Sequence, residues 1–231
     1  GSVDESTDEV SGSPFSLDLA IDSGYVSVSL SIAEITNYTV LSDFVRVTYP
    51  DFKVVYDLDD DAFQGEGEEL LKKAWDTSGN GNHGVVHGAT WVRDGKFGKA
   101  LSFDGDDYVE VPHSASINPA TEITIVAWIY PKSFSTWNIP LGKGGPGANK
   151  GWYIGLNNGQ LKAKINDGST AFWAIGSFLS LNTWQHIAVT ISKNTNIMQL
   201  YLNGAADGDP LDISGVGDWT NTFNVYIGRS E

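Results

Sequence analysis

The strongest constraint in this chain is a period of two. Between Glu122 and Tyr130, Ile123, Ile125, Ala127 and Ile129 interleave with Val126, Trp128 and Tyr130. Successive side chains of an extended strand point to opposite sides of a sheet, so this segment is a strand with apolar groups on both faces and is expected in the middle of its sheet. Leu161, Ala163 and Ile165 alternate instead with Lys162 and Lys164, a strand with one face in water. Before it stands Asn157-Asn158-Gly159, whose residues tolerate the positive φ angles of a tight hairpin. Further strands are expected at 53–58, 99–103, 108–111, 152–156, 186–191, 198–202 and 224–227. Only 68–75 reads as a helix, with Glu68 and Glu69 in its first turn and Lys72 and Lys73 in its last, as the helix dipole prefers. Many short strands joined by Gly, Asn and Asp turns indicate an all-β sandwich or barrel.

Three segments follow one another. Residues 1–13 are acidic and Ser-rich, without a spaced apolar face, and read as a tail. Residues 14–51 form an N-terminal β extension. In it Phe15, Leu17, Leu19 and Ile21, then Val26, Val28, Leu30 and Ile32, flank the turn signal Asp22-Ser23-Gly24, and a third strand from Phe44 to Thr48 stops before Pro50. The main domain covers 52–231.

The charge excludes some partners. Twenty-nine Asp and Glu against 14 Lys and Arg give a net charge of −15, which repels nucleic acid and anionic membrane surfaces. No apolar run reaches the roughly 18 residues of a membrane span, so direct insertion is not expected. There is no Cys for a disulfide or a thiolate metal site. The carboxylate excess suits a hard cation such as Ca²⁺, and it also simply confers solubility.

Five motif groups share one resemblance: Asp76-Thr77-Ser78-Gly79-Asn80-Gly81-Asn82-His83-Gly84; Gly95-Lys96-Phe97-Gly98-Lys99-Ala100-Leu101-Ser102-Phe103-Asp104-Gly105 with Asp107-Tyr108-Val109-Glu110-Val111; Ile125-Val126-Ala127-Trp128; Trp184-Gln185-His186-Ile187-Ala188-Val189-Thr190; and Leu200-Tyr201-Leu202-Asn203-Gly204 with Tyr226-Ile227-Gly228-Arg229-Ser230. In order and spacing they resemble the laminin-G-like branch of the concanavalin A-like jelly rolls. The resemblance implies a two-sheet antiparallel jelly-roll β-sandwich over 52–231, an extracellular or cell-surface setting, and Trp128 and Trp184 in its core. It also implies a calcium site where the loop bearing Asp76, Asn80 and Asn82 meets Asp104, Asp106 and Asp107. Asp and Asn equally build turns without any metal. Two departures stand out: the acidic insertion between Asp57 and Trp75 is long, and the family's closing strand after Ile227-Gly228-Arg229 is missing. The hairpin of 15–33 is the expected occupant of that place, in its own chain or in a neighbour by strand donation.

Other motifs carry less. Gly79-Asn80-Gly81-Asn82-His83-Gly84 matches the dinucleotide spacing, but no helix follows to face a pyrophosphate. The run 142–151 lacks the Lys-Ser/Thr ending of a phosphate loop. Asp57, Asp59, Asp61 and Glu68 occupy the first, third, fifth and twelfth places of a calcium loop, with Ala62 where that loop needs Gly, so they read as either a solvated acidic loop or a second metal cluster. Glycosidic hydrolysis needs two cooperating carboxylates, and Asp107 and Glu110 have an odd spacing that puts them on opposite faces of a strand. No nucleophile elbow is present, and His83 and His87 lack the helix and Glu of a zinc protease. Catalytic residues are therefore not expected. Trp137, Trp173 and Trp219 lie among Ser, Thr, Asn and Gly and are the candidate ligand contacts, for sugar faces or for a protein neighbour. The expected function is a non-catalytic recognition or adhesion module binding glycan or a cell-surface protein, with calcium-ordered loops. The alternative is a structural subunit of an extracellular filament, pilus or surface layer that self-associates by strand donation.

Overall fold

The computed structural model describes residues 39–41, 44–46, 72–144 and 150–229. The predicted hairpin of 15–33, the strand at 53–58 and the cluster of Asp57, Asp59, Asp61 and Glu68 lie outside the described residues. The chain divides after Asp51 into two units. In the first, β1 (Thr39–Leu41) pairs antiparallel with β2 (Phe44–Arg46), Leu41 opposite Phe44.

The second unit contains β3 (Lys73–Ala74), β4 (Gly84–His87), β5 (Thr90–Val92), β6 (Ala100–Ser102), β7 (Tyr108–Val111), β8 (Glu122–Ile129), β9 (Asn138–Lys143), β10 (Gly151–Asn157), β11 (Gln160–Asn166), β12 (Ala171–Phe178), β13 (Gln185–Ser192), β14 (Ile197–Leu202), β15 (Ala205–Asp212) and β16 (Val225–Ile227). Eight of them form one sheet in the order β12-β11-β10-β9-β16-β7-β4-β3, and four form a second in the order β15-β14-β13-β8. The pair β5-β6 makes a separate ribbon. Every pairing is antiparallel.

Turn chemistry sets the registers. Asn158 and Gly159 both have positive φ, 49° and 85°, and join β10 to β11 with Asn157 opposite Gln160. Asn203 and Gly204, at 51° and 83°, do the same between β14 and β15. This is the two-residue hairpin whose twist matches that of the strands it joins. With those registers fixed, Val109, Val111, Ile154, Leu161 and Ile165 of the larger sheet and Ile125, Ile187, Val189, Met198 and Leu200 of the smaller one are buried in one core. Full burial of each such aliphatic side chain stabilises the fold by about 1.5–3 kcal/mol.

Three expectations need correcting. The described end of the predicted helix, Lys73–Ala74, is a strand instead, with Lys73 opposite Val85. Ala74 packs into the core, and that contact outweighs a terminal charge preference worth only about 0.3–1 kcal/mol. Strand β8 is not central: among the described strands it ends its sheet, paired with β13 alone. Nor is Trp128 in the core. It is 36 % exposed on the outer side of β8, against His186 at 5.3 Å and Phe97 at 5.8 Å between ring centroids, with Lys96 Nζ 4.7 Å from its ring. Trp184 is likewise only half-buried, beside Tyr130. The outer apolar residues of β8 are thus partly covered by the loop carrying Lys96 and Phe97, which closes with a Gly95 N–H to Gly98 carbonyl bond, and a further strand is not needed to explain them.

One margin of the sandwich is clamped by charge. Asp207 on β15 accepts hydrogen bonds from both the backbone N–H (2.8 Å) and the hydroxyl (2.5 Å) of Ser177 on β12. Gly176 makes room for this carboxylate, since a Cβ there would lie 2.2 Å from Asp207 Oδ2.

Candidate functional site

The registers of the larger sheet align one residue from each of its strands: Lys73, Val85, Glu110, Tyr226, Gly142, Tyr153, Lys164 and Trp173. Strict alternation places this whole row on the side away from the core. At its centre Gly142 has no side chain, and a Cβ there would meet Tyr153 Cβ at 2.7 Å. Aromatic and charged groups stand on both sides of it.

On the β10–β12 side, Tyr153 packs edge-on against Trp137 (5.9 Å) and Trp173 (5.8 Å), and the two indoles lie 5.7 Å apart at 42°. Lys162 Nζ lies 6.0 Å from the Trp137 ring, and Lys164 Nζ lies 5.6 Å from that of Trp173 and 5.9 Å from Tyr153. Cations at such distances are attracted by the ring quadrupole. Tyr153 and Lys164 are only 1 % and 4 % exposed, while both indoles are half-buried. Burial pushes the Tyr153 phenol pKa well above its ordinary value and lowers that of the Lys164 ammonium. Among the described residues the buried Tyr153 Oη has no hydrogen-bond partner.

The loop that presents Trp137 is pinned rather than free. Asn158 N–H donates to the Ser135 carbonyl, Asn157 Nδ2 to the Thr136 carbonyl and the Ser135 hydroxyl to the Trp137 carbonyl. Phe134 fills the space left by Gly159, where a Cβ would lie 2.7 Å from its ring. The β10–β11 hairpin therefore fixes the indole.

On the other side of Gly142, His87 stacks on Tyr108 at 4.4 Å, and the Arg229 guanidinium carbon lies 4.1 Å from Tyr108 and 5.0 Å from Tyr226. Glu110 accepts hydrogen bonds from Asn224 Nδ2 (2.7 Å) and the Tyr226 hydroxyl (3.2 Å), and its other oxygen is 3.4 Å from His87 Nε2. Glu110 is thereby committed to this wall. Asp107 sits in the loop before β7 and turns its carboxylate onto the Asp104 N–H.

Of the three tryptophans expected to contact ligand, the structure brings Trp137 and Trp173 together and removes Trp219. Trp219 is 1 % exposed, its indole N–H donates to the Pro119 carbonyl (2.7 Å), and Lys193 Nζ lies 4.3 Å from its ring. Its polar neighbours build a turn, Asp218 accepting from the Thr220 N–H and hydroxyl, beneath which the indole is packed. Tyr153, Lys162 and Lys164 were not singled out from sequence. Their signal was the outward half of two alternating strands, but the alignment with Trp173 depends on registers that only the folded hairpins define.

The predicted calcium ligands divide into two groups. Carboxylate oxygens of Asp104, Asp106 and Asp107 lie within 4.8 Å of one another. Asp76 instead accepts from the N–H groups of Ser78 (2.9 Å) and Asn82 (2.8 Å), and Asn82 Oδ1 accepts from the hydroxyls of Ser114 and Ser116. Asn80 Nδ2 donates to the Ser78 hydroxyl. Asp76 and Asn80 thus bond within their own loop, and Asn82 ties that loop to Ser114 and Ser116.

Residues 103–231 match the family model described as the concanavalin A-like lectin/glucanase superfamily, laminin G type, which is more than half of the chain. The chain belongs to this superfamily, and its sandwich is a jelly roll. Solved structures with the same fold include the botulinum neurotoxin serotype G binding domain (11 % identity, TM-score 0.54, 66 % of this chain and 40 % of that one). The receptor-binding domain of the mosaic serotype C/D neurotoxin (18 %, 0.53, 67 % and 40 %) and the binding domain of neurotoxin DC in complex with rat synaptotagmin II (17 %, 0.52, 66 % and 40 %) are similar too. This chain thus spans about two fifths of each of those chains. No curated protein matches it.

Proposed function

We propose that this chain is a non-catalytic recognition module of an extracellular or cell-surface protein, which binds a glycan or another surface ligand through the outer face of its larger sheet. The observation that carries this reading is the Trp137–Trp173 pair, half-buried and held 5.7 Å apart on a pinned loop and a paired strand. Flat indoles in fixed positions offer large contact area at little entropic cost, and their faces suit the C–H surface of a sugar ring. That the structurally similar proteins are themselves toxin binding domains supports a binding role. Calcium, in this reading, is held by Asp104, Asp106 and Asp107, whose short carboxylates on adjoining turn residues are the oxygen donors a hard cation takes. It orders the loop ahead of β7. A glycan array followed by calorimetry on a hit tests the reading: Trp173→Ala is expected to lower affinity at least about tenfold, as loss of a central aromatic anchor does. Unchanged affinity would move the site elsewhere.

A further inference from the structure

The borders of the two sheets are not finished alike. Among the described residues, β3 ends the larger sheet on one side and is only two residues long. On the other side β12 gives its Ser177 amide to Asp207. In the smaller sheet β15 shifts register opposite Met198 and Leu200 and carries Asp207, Asp209, Pro210 and Asp212. Short length, bulges, Pro and charge are the devices by which a sheet border avoids pairing with a further strand. Strand β8 lacks them over nearly all its length. Its eight residues hold an unbroken register against β13 and include no Pro, Gly or Lys, and its one charged residue, Glu122, stands at the first position.

The register also tells which backbone groups this border presents. In an antiparallel pair, bonded and non-bonded positions alternate. Lys193 N–H donates to the Thr121 carbonyl, and on the other side of β13 Asn203 N–H donates to the His186 carbonyl. The odd-numbered residues of β8 therefore bond to β13, and the N–H and C=O groups of Glu122, Thr124, Val126 and Trp128 point away from it. Among the described residues no strand receives them.

This border is complementary to itself. A second β8, turned about a two-fold axis at Ile125, sets Glu122 opposite Trp128 and Thr124 opposite Val126, so all four residues exchange bonds with a partner. On the core side Ile123 then meets Ala127, and Ile125 meets its own copy. On the outer side Glu122 avoids its own copy and arrives beside Trp128, where Lys96 Nζ lies 4.7 Å from the ring. Glu122 accepts a bond from the Ser192 hydroxyl with one oxygen (2.7 Å), and a carboxylate has a second to offer. We propose that two copies of this chain pair antiparallel through β8, joining their smaller sheets into one continuous sheet, with Glu122 of each copy beside Lys96 of the other. The Trp137–Trp173 pair belongs to the other sheet and stays outside the contact.

Sedimentation velocity over a concentration series tests the proposal, run at about 0.15 M salt, where a Debye length of about 8 Å screens the repulsion between two chains of net charge −15. The expected result is a dimer whose share grows with concentration. Thr124→Pro removes an outward N–H and no bond to β13, and should weaken the dimer at least about tenfold. Glu122→Lys or Lys96→Glu alone should weaken it about fivefold, and the two together should restore it. The double variant Thr124→Cys, Val126→Cys sets thiols opposite each other across the axis in a chain with no Cys of its own, so oxidation should give a covalent dimer that neither single variant gives. A chain that stays monomeric throughout the series overturns the proposal. So does a dimer indifferent to Thr124→Pro, which would place the association on another surface, or a double-Cys variant that cross-links no more than the single ones. Where near-ultraviolet circular dichroism shows the Pro variant unfolded, the charge exchange and the cross-link decide.

Discussion

The two outer faces of the sandwich carry similar numbers of aromatic rings and use them in opposite ways. On the smaller sheet, Trp128 meets His186, Phe97 and Lys96, all from its own strands or from the loop folded over them, in strands whose charged residues are all acidic. On the larger sheet, Trp137 and Trp173 meet each other across a pinned loop, and the charges around them are lysines. Trp128 fastens a loop to its own sheet even though it is 36 % exposed, whereas the half-buried Trp137 and Trp173 are held against each other and against Tyr153. Ring count alone does not separate these roles, but the partners of each ring do.

A buried tryptophan outside both faces sets the scale for testing this contrast. Trp219→Ala is expected to cost about 3–5 kcal/mol in urea unfolding, the usual result of emptying a core site and orphaning the carbonyl that its N–H satisfied. A loss below about 1 kcal/mol would mean that this indole is not structural. Next comes Trp128→Ala, expected to cost about 1–2 kcal/mol through release of the loop at Phe97, with ligand affinity unchanged. Paired with Trp173→Ala, which should spare stability more than binding, it forms a crossed test: if Trp128→Ala removes binding, the two faces have been assigned the wrong way round. The smallest effect is expected from calcium. Millimolar Ca²⁺ should raise the melting midpoint by a few degrees relative to chelator, because a ligand held only by the folded state stabilises it, and Asp106→Asn should erase that shift. A midpoint indifferent to Ca²⁺ would leave the three carboxylates as solvated loop residues.

Much of the fold was legible because alternation and turn chemistry agree. Strands 108–111, 122–129, 160–166, 185–192 and 197–202 show period-two patterning, and Asn158-Gly159 announces its hairpin. Strands β9, β12 and β15 escaped notice for a common reason: Pro140, Gly142, Gly176, Gly208 and Pro210 interrupt their patterns, and those residues ordinarily argue against a strand interior. Here they serve register shifts and close approaches, as at Gly176 beside Asp207. The tryptophans show where local reading stops. Alternation tells which side of a strand Trp128 occupies, but not whether that side is covered. Polar neighbours marked Trp219 as exposed, although those neighbours are polar because they form the turn above it. Half of the proposed platform, Trp137 and Trp173, was accessible from residue type and setting. The lysines beside it became visible only when strand registers put Lys164 opposite Trp173.

The bond from Asp207 to Ser177 has a consequence for neighbouring copies of this chain. A bare strand margin is a template on which a neighbouring copy can anneal. Here a carboxylate occupies one of the amides such a neighbour would need, and its negative charge repels a second copy bearing the same group. Where two copies meet along this border, that group insulates one from the other.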